Sequence, residues 1–399
     1  MEINFICDTL LSALDNAGYH EHTIFNYKGV VRRFKAFCKN KGITEYTPDF
    51  GQTYAEDVIS IKTGKFSKNR YHTQGRFIRL LNSYYSTGAF DFATLKRGKM
   101  EPSNYKHIQI YHNYSAFLQT KYTSENTIHF YEYELYYFLQ YLNKIMVLDI
   151  EVLSPSIVID YLKYTKQCRH RAVLCGLRLF LKYINRNDLF ASIEGIHAFR
   201  SKRIIPTLTD EEKEQIKDTI ESGKATHRDA AIVLLGLSSG IRACDLINLK
   251  LSDIDWINET ISFKQSKTGN TVCLPLTTSV GNAIARYISE ERPKTNNDFL
   301  FVRQLAPFDH LSDHASCYYV VSRLFKQSKI SKDKRIFGMH MLRHNAASTM
   351  VKNEVPIATI AAILGHSNTD TTDIYITTDE SRLKDCVLPM IGISTEVNP

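Results

Sequence analysis

The chain has 399 residues, 43% of them hydrophobic and 23% charged, with a formal charge of +8. That length calls for two or three domains, and the composition excludes an intrinsically disordered chain. No apolar run approaches the roughly 18 residues of a membrane span, and the eight cysteines at positions 7, 38, 168, 175, 244, 273, 317 and 386 show neither a C-x-x-C pair nor a disulfide-rich spacing.

No charged-then-apolar leader opens the sequence, so a soluble, cytoplasmic protein with reduced thiols is expected. The charge is uneven: residues 1–200 hold 26 Lys+Arg against 18 Asp+Glu, while 201–399 hold 24 of each. A basic half joined to a neutral half suits a module that holds a polyanion beside one that acts on it. On charge alone, solubility charge is the favoured reading.

In chain order, the first feature is an internal repeat. Thr23–Cys38 (TIFNYKGVVRRFKAFC) and Thr127–Leu142 (TIHFYEYELYYFLQYL) match in register at Thr23/Thr127, Ile24/Ile128, Tyr27/Tyr131, Val31/Leu135, Phe34/Phe138 and Phe37/Tyr141. The apolar positions step by three and four, as in an amphipathic helix. A second aromatic-rich helix follows each copy, at Phe77–Tyr85 and Leu177–Ile184. Two small helical domains are therefore expected, at 1–100 and 101–200. Basic residues sit beside the later helices: Lys65, Lys68, Arg70, Arg76 and Arg79, then Arg169, His170, Arg171, Arg178 and Lys182. Such clusters suit contacts to phosphates and sugars; a solvated helix face is the bland reading for any one of them.

Phe199–Pro206 (FRSKRIIP) is basic, holds a proline and reads as a linker. The third domain, 201–399, opens on Thr209–Glu212, spaced as a capping box. An apolar helix at Ala230–Leu237 stops at Ser238-Ser239-Gly240, and another runs through Ala243–Leu249. Thr260–Ser266 and Thr271–Pro275 read as strands around a Thr268-Gly269-Asn270 turn. Helices are then predicted at Val280–Ser289, Ala315–Gln327, Met339–Lys352 and Pro356–Leu364, the last stopped by Gly365. The expected fold is mainly α with a small antiparallel β-sheet in the C-terminal domain.

Four segments of this domain place reactive side chains at element ends. Gly240-Ile241-Arg242-Ala243-Cys244-Asp245 puts a guanidinium at a helix start and a carboxylate one turn on; together they can grip and orient a phosphate. Ser266-Lys267-Thr268-Gly269-Asn270 carries an ammonium at the mouth of the hairpin, able to protonate a leaving alkoxide. His340-Met341-Leu342-Arg343-His344 lies on a helix, where residues 340 and 343 share a face. A zinc reading through His340 and His344 is disfavoured, because the metalloprotease version needs Glu where Met341 stands. Leu364-Gly365-His366-Ser367 is followed, nine residues after the His, by Tyr375. Each signal alone has a structural explanation, from helix-terminal salt bridge to core tyrosine.

In the order Arg, Lys, His-x-x-Arg, His, Tyr, these segments resemble the tyrosine recombinase, or phage integrase, family, through SSGIRACDLINL, SKTGN, HMLRHNAAS and LGHSNTDTTDIY. The resemblance covers 200–380 strongly and 101–200 more loosely, as the family's helical core-binding domain. It implies a multi-domain clamp around double-stranded DNA and strand exchange through a covalent 3′-phosphotyrosine, with neither metal nor nucleotide cofactor.

Residue by residue, the resemblance implies that Arg242 and Arg343 clamp the scissile phosphate and that Tyr375 attacks it. It makes Lys267 the acid for the 5′-hydroxyl, His340 the base and His366 a donor to the phosphate. Asp245 supports Arg242, at a position where the family often has Glu. Thr268 and Asn270, on the Lys267 turn, join the candidate DNA contacts. It further implies that an apolar tail such as Val387-Leu388-Pro389-Met390-Ile391 docks on a neighbouring subunit, giving a homo-tetramer on paired sites; folding back on its own domain is the alternative. Residues 1–100 would be an additional DNA-binding module or a subunit contact. Service to a mobile element is expected. The alternatives are a type IB topoisomerase, with similar residues but no strand exchange, and a non-catalytic DNA-binding protein of the same fold.

Overall fold

The computed structural model describes residues 1–60, 63–93, 100–198, 207–311, 313–331 and 337–365. The expected linker at 199–206, the tail segment at 387–391, His366 and Tyr375 lie outside the described residues. Three hydrophobic cores form in chain order, at 3–81, 111–193 and 208–342, with a small satellite at 347–364. The described residues of Met1–Ala93 and Ile204–Pro399 make one compact unit, and those of Thr94–Arg203 make the other.

Residues 1–93 fold as α1 (Ile3–Asn16), α2 (Glu21–Asn40), α3 (Pro48–Glu56) and α4 (Lys68–Thr87). Local chemistry sets the boundaries. Thr47 caps α3 ahead of Pro48, Ser67 caps α4, and Gly88 ends α4 in the left-handed region at φ 74°. The core is aromatic: Phe34 lies 5.0 Å from Tyr54 and 5.3 Å from Phe77, ring centre to ring centre. Within the same unit, a β-carbon on Gly18 would fall against the ring of Phe308.

The second unit contains α5 (Tyr105–Lys121), α6 (Glu125–Lys144), α7 (Pro155–Tyr164), α8 (His170–Tyr183) and α9 (Asn187–Glu194). The repeat read from the sequence is present as α2 and α6, each of 20 residues. Val31, Phe34 and Cys38 of α2 are buried, as are their counterparts Leu135, Phe138 and Leu142 of α6. The likeness extends to the proline-started helices α3 and α7 and to α4 and α8. At the α6–α8 crossing, a β-carbon on Gly176 would overlap that of Glu134, so only glycine allows the approach.

The C-terminal part contains α10 (Asp210–Glu221), α11 (His227–Ser239), α12 (Ala243–Ile247), strands β1 (Ile254–Asp255), β2 (Thr260–Lys264) and β3 (Thr271–Pro275), then α13 (Thr278–Arg286), α14 (His314–Gln327), α15 (Met339–Lys352) and α16 (Ile357–Leu364). The capping box at the start of α10 is complete, with Thr209 and Glu212 each accepting from the other's main chain. The sheet is antiparallel in the order β1-β2-β3, and Ile261 stands opposite both Ile254 and Leu274. Helix α11, buried along most of its length, packs against α13, α14 and α15. The fold is thus mainly helical with one small antiparallel sheet. Among the described residues, no helix is long and apolar enough to cross a membrane.

Candidate active site

The site begins where α11 stops. Gly240, at φ 64°, caps that helix in the left-handed region, and a β-carbon there would meet Leu364 and Ala346. The tight exit places Arg242 at the N-cap of α12. Its Nη1 donates to Gln265 Oε1 at 2.9 Å, its Nη2 donates to the carbonyl of Gly365 at 2.9 Å, and Asp245 lies 3.9 Å away.

Arg343 comes from α15 and is 5% exposed. A buried guanidinium must have its donors satisfied. Nη1 donates to Gly240 O at 2.9 Å and Nη2 to Leu364 O at 2.7 Å. Two arginines from different helices therefore end on adjacent carbonyls at the C-terminus of α16. Helix-terminal carbonyls carry partial negative charge, so this terminus marks where the two cations are aimed. His366 follows it directly in sequence.

The third element is the β2–β3 turn. Gln265 N donates to Asn270 O at 2.8 Å and Gly269 N donates to Gln265 O at 2.9 Å, closing a loop that exposes Lys267 to solvent. Asp245 secures the same loop: its Oδ1 accepts from Ser266 N at 2.7 Å. That carboxylate is buried against Arg242 on one side and the Lys267 turn on the other. Thr268 Oγ1 donates to Gln265 Oε1 at 2.7 Å.

His340 lies on the first turn of α15, partly open to solvent. Packing around its ring, and then the positive charge of Arg343, hold its pKa below the ordinary imidazole value. The ring is therefore neutral at neutral pH and able to accept a proton. Its Nε2 stands 3.1 Å from Nε2 of His344, with the rings edge to face. His344 thus meets His340, the other histidine of the disfavoured zinc reading. Among the described residues, no three His, Cys, Asp or Glu side chains gather as metal ligands.

The structure brings Arg242, Asp245, Arg343 and the Lys267 turn together, with His340 one helical turn from Arg343. One residue that the sequence reading passed over, Gln265, belongs here, as does Gly365, read there as a helix stop. Gln265 is 3% exposed and touches three of the four motifs. Gly365, at φ 62°, caps α16 where a β-carbon would fall inside the Gln265 carboxamide. A glutamine just past a strand end carries no sequence signal of its own, whereas Gly365 was legible as a helix stop.

The basic residues of the helical modules divide into two groups. Arg70 pairs with Asp57 at 2.7 Å, Arg79 with Asp91 at 3.0 Å and Arg169 with Glu134 at 2.6 Å. Arg178 donates to the carbonyls of Ile193, Glu194 and Ile196 at the end of α9, and His170 contacts Thr165 O at 3.3 Å. Lys65, Lys68, Arg76, Arg171 and Lys182 are exposed, as is Asn270 on the hairpin, while Thr268 is half-buried. Lys182 lies over the ring of Phe190.

Residues 206–382 match the model of the phage integrase family. The putative integrase/recombinase y4gC of Sinorhizobium fredii is 36% identical over 172 residues, a match covering 43% of this chain and 86% of that protein. The chain spans about half the length of two further curated relatives, the putative integrase/recombinases y4rF and y4rA of Sinorhizobium fredii, at 53% and 55%. Among solved structures, the XerH site-specific recombinase bound to its difH substrate aligns with a TM-score of 0.54 at 20% identity, over 72% of this chain and 90% of that one. A lambda integrase tetramer bound to a Holliday junction aligns with a TM-score of 0.52 at 17% identity, over 79% and 90%.

Proposed function

The chain belongs to the phage integrase, or tyrosine recombinase, family, and from that membership and its site geometry we propose that it cuts and rejoins DNA at specific sites. The observation that carries this reading is the convergence of Arg242 and Arg343 on one helix terminus beside the Lys267 turn.

The chemistry follows from the parts. Tyr375 Oη attacks the scissile phosphorus and the bond to the 5′-oxygen breaks, leaving a 3′-phosphotyrosine. His340 takes the phenolic proton, and Lys267 gives one to the departing 5′-oxygen. Arg242, Arg343 and His366 meet the non-bridging oxygens, where charge builds in the transition state. Asp245 holds Arg242 and the hairpin in place. Attack by the 5′-hydroxyl of another strand reverses each step, so the phosphodiester energy is conserved and neither metal nor nucleotide enters.

Service to a mobile element is supported by relatives named as putative integrase/recombinases, and the site of action is read as cytoplasmic. Assembly as a homo-tetramer on paired sites is supported by the lambda integrase tetramer on a Holliday junction among the similar structures. Exposed Lys68, Arg76, Arg171, Lys182 and Asn270 are the strongest candidates for backbone contacts. Arg70, Arg79, Arg169, His170 and Arg178, together with Thr268, hold their modules in the shape that presents those contacts.

The test is recombination between plasmids carrying the sequences that flank the gene, in excess chelator and without nucleotide. Recombinant product is expected. Efficient relaxation of supercoiled DNA lacking those sequences, with no exchange, would favour the topoisomerase reading instead.

A further inference from the structure

Gln265 has no part in the chemistry above, yet its side chain contacts Arg242, Thr268 and Leu364. Its Oε1 has two lone pairs, and both are used: Arg242 Nη1 donates to one at 2.9 Å and Thr268 Oγ1 to the other at 2.7 Å. Its Nε2 faces Leu364 O at 3.4 Å, the carbonyl that also receives Arg343. The carboxamide fills the space beside Gly365 that a β-carbon would occupy. Its main chain closes the Lys267 turn at both ends. A group 3% exposed, with these contacts, does more than fill a gap.

We propose that Gln265 is a positioning residue that locks the Lys267 turn to the Arg242 guanidinium, so that acid and phosphate grip share one geometry. The inference rests on the assignment of Lys267 as the acid for the leaving oxygen. An ammonium on an exposed turn has wide conformational freedom, and Lys267 itself is solvent-exposed. Proton transfer needs it within hydrogen-bond reach of one oxygen. The Thr268–Gln265–Arg242 chain restrains the turn that carries Lys267 through a guanidinium held at Gly365 O, and Asp245 pins the other side of the turn through Ser266. Misplacement of a catalytic group by about 1 Å costs about 10²-fold in rate.

The test uses the duplex that the full-length protein cleaves, made once with the natural bridging 5′-oxygen and once with sulfur in its place. A thiol has a pKa of about 8.5 and departs as thiolate without an acid, so loss of the acid is forgiven on the sulfur substrate. Lys267→Ala sets the reference, and Arg242→Lys is the control that sulfur does not rescue. Thr268→Val, which leaves the Gln265–Arg242 contact intact, is expected to lose about 10-fold or more on oxygen and to recover most of it on sulfur. Gln265→Leu is expected to lose about 10²-fold and recover in part, and Gln265→Glu, which keeps the acceptor oxygen, to exceed the Leu variant on oxygen.

Should Lys267→Ala recover on sulfur while Thr268→Val and Gln265→Leu lose equally on both substrates, or lose nothing, Gln265 does not position the acid. Should Lys267→Ala itself fail to recover, the acid assignment falls, and this proposal with it.

Discussion

Arg242 and Arg343, carried by different helices, donate to neighbouring carbonyls of one helix end, Gly365 O at 2.9 Å and Leu364 O at 2.7 Å. The two guanidiniums are held by main chain, so their aim is fixed before any substrate arrives. Preorganised donors of this kind need no rearrangement as charge develops. Lysine cannot reproduce the planar fork. Arg242→Lys is therefore expected to fold normally and to lose about 10²–10³ in single-turnover cleavage rate, measured by rapid-quench sampling of cut DNA. A loss below tenfold would mean that Arg242 is a structural cap only.

Gly365 makes the convergence possible, because a side chain there would displace the Gln265 carboxamide and must also adopt φ 62°. The left-handed conformation alone costs roughly 1–2 kcal/mol in a residue with a β-carbon. Gly365→Ala should lower the melting temperature and reduce cleavage by more than the fraction unfolded explains. Calorimetry alongside cleavage rates separates the two effects.

As the proposed base, His340 is expected to set the acid side of the activity profile. Its pKa is lowered by desolvation and then by Arg343, so the neutral, proton-accepting form persists below the ordinary imidazole value of about 6.5. Cleavage rate should stay flat through neutrality and fall only at pH below about 6.5; a midpoint above that value would contradict the assignment. Replacing Arg343 moves the midpoint upward, and replacing His344 tests whether the 3.1 Å contact between the rings contributes.

Stability should follow the same sign through His107, which is buried and whose pKa is likewise lowered. A folded-state pKa below the unfolded value gives stability that is complete above the unfolded pKa, about 6.5, and is lost as pH falls through the folded value. Urea melts of the full chain at falling pH should show the decline, and His107→Gln should flatten it. An unchanged slope would place the linkage elsewhere.

The α6–α8 crossing depends on Gly176, since any β-carbon there strikes Glu134, the partner of Arg169. Gly176→Val is expected to destabilise by about 1–3 kcal/mol through overpacking and to weaken DNA binding without changing single-turnover cleavage at saturating protein. Equal melting temperatures for variant and parent would refute the close approach.

What could be read in the sequence was chemistry with few alternative uses. Arg242, Lys267, His340 and Arg343 stood out because charged groups at element ends form a recognisable order, and α15 was bounded to the residue by its pattern. Repeated apolar steps located α2 and α6. Helices α3, α7 and α9 were missed because they are short, although Pro48 and Pro155 marked two of the beginnings, and α1 because no capping side chain marks its start; α5 was missed although Asn104 caps it. Strand β1 has two residues, too few for any alternation to show. Gln265 was invisible because its importance lies in contacts with Arg242 and Leu364, both distant in sequence.

The central claim is that Tyr375 becomes joined to DNA. The most direct measurement traps the protein on a nicked duplex carrying the flanking sequence, digests the adduct and identifies the modified peptide by mass spectrometry. A 3′-phosphonucleotide on Tyr375, absent from Tyr375→Phe protein, is the result this account predicts. An adduct that persists in Tyr375→Phe, or one mapped to a different residue, would contradict it.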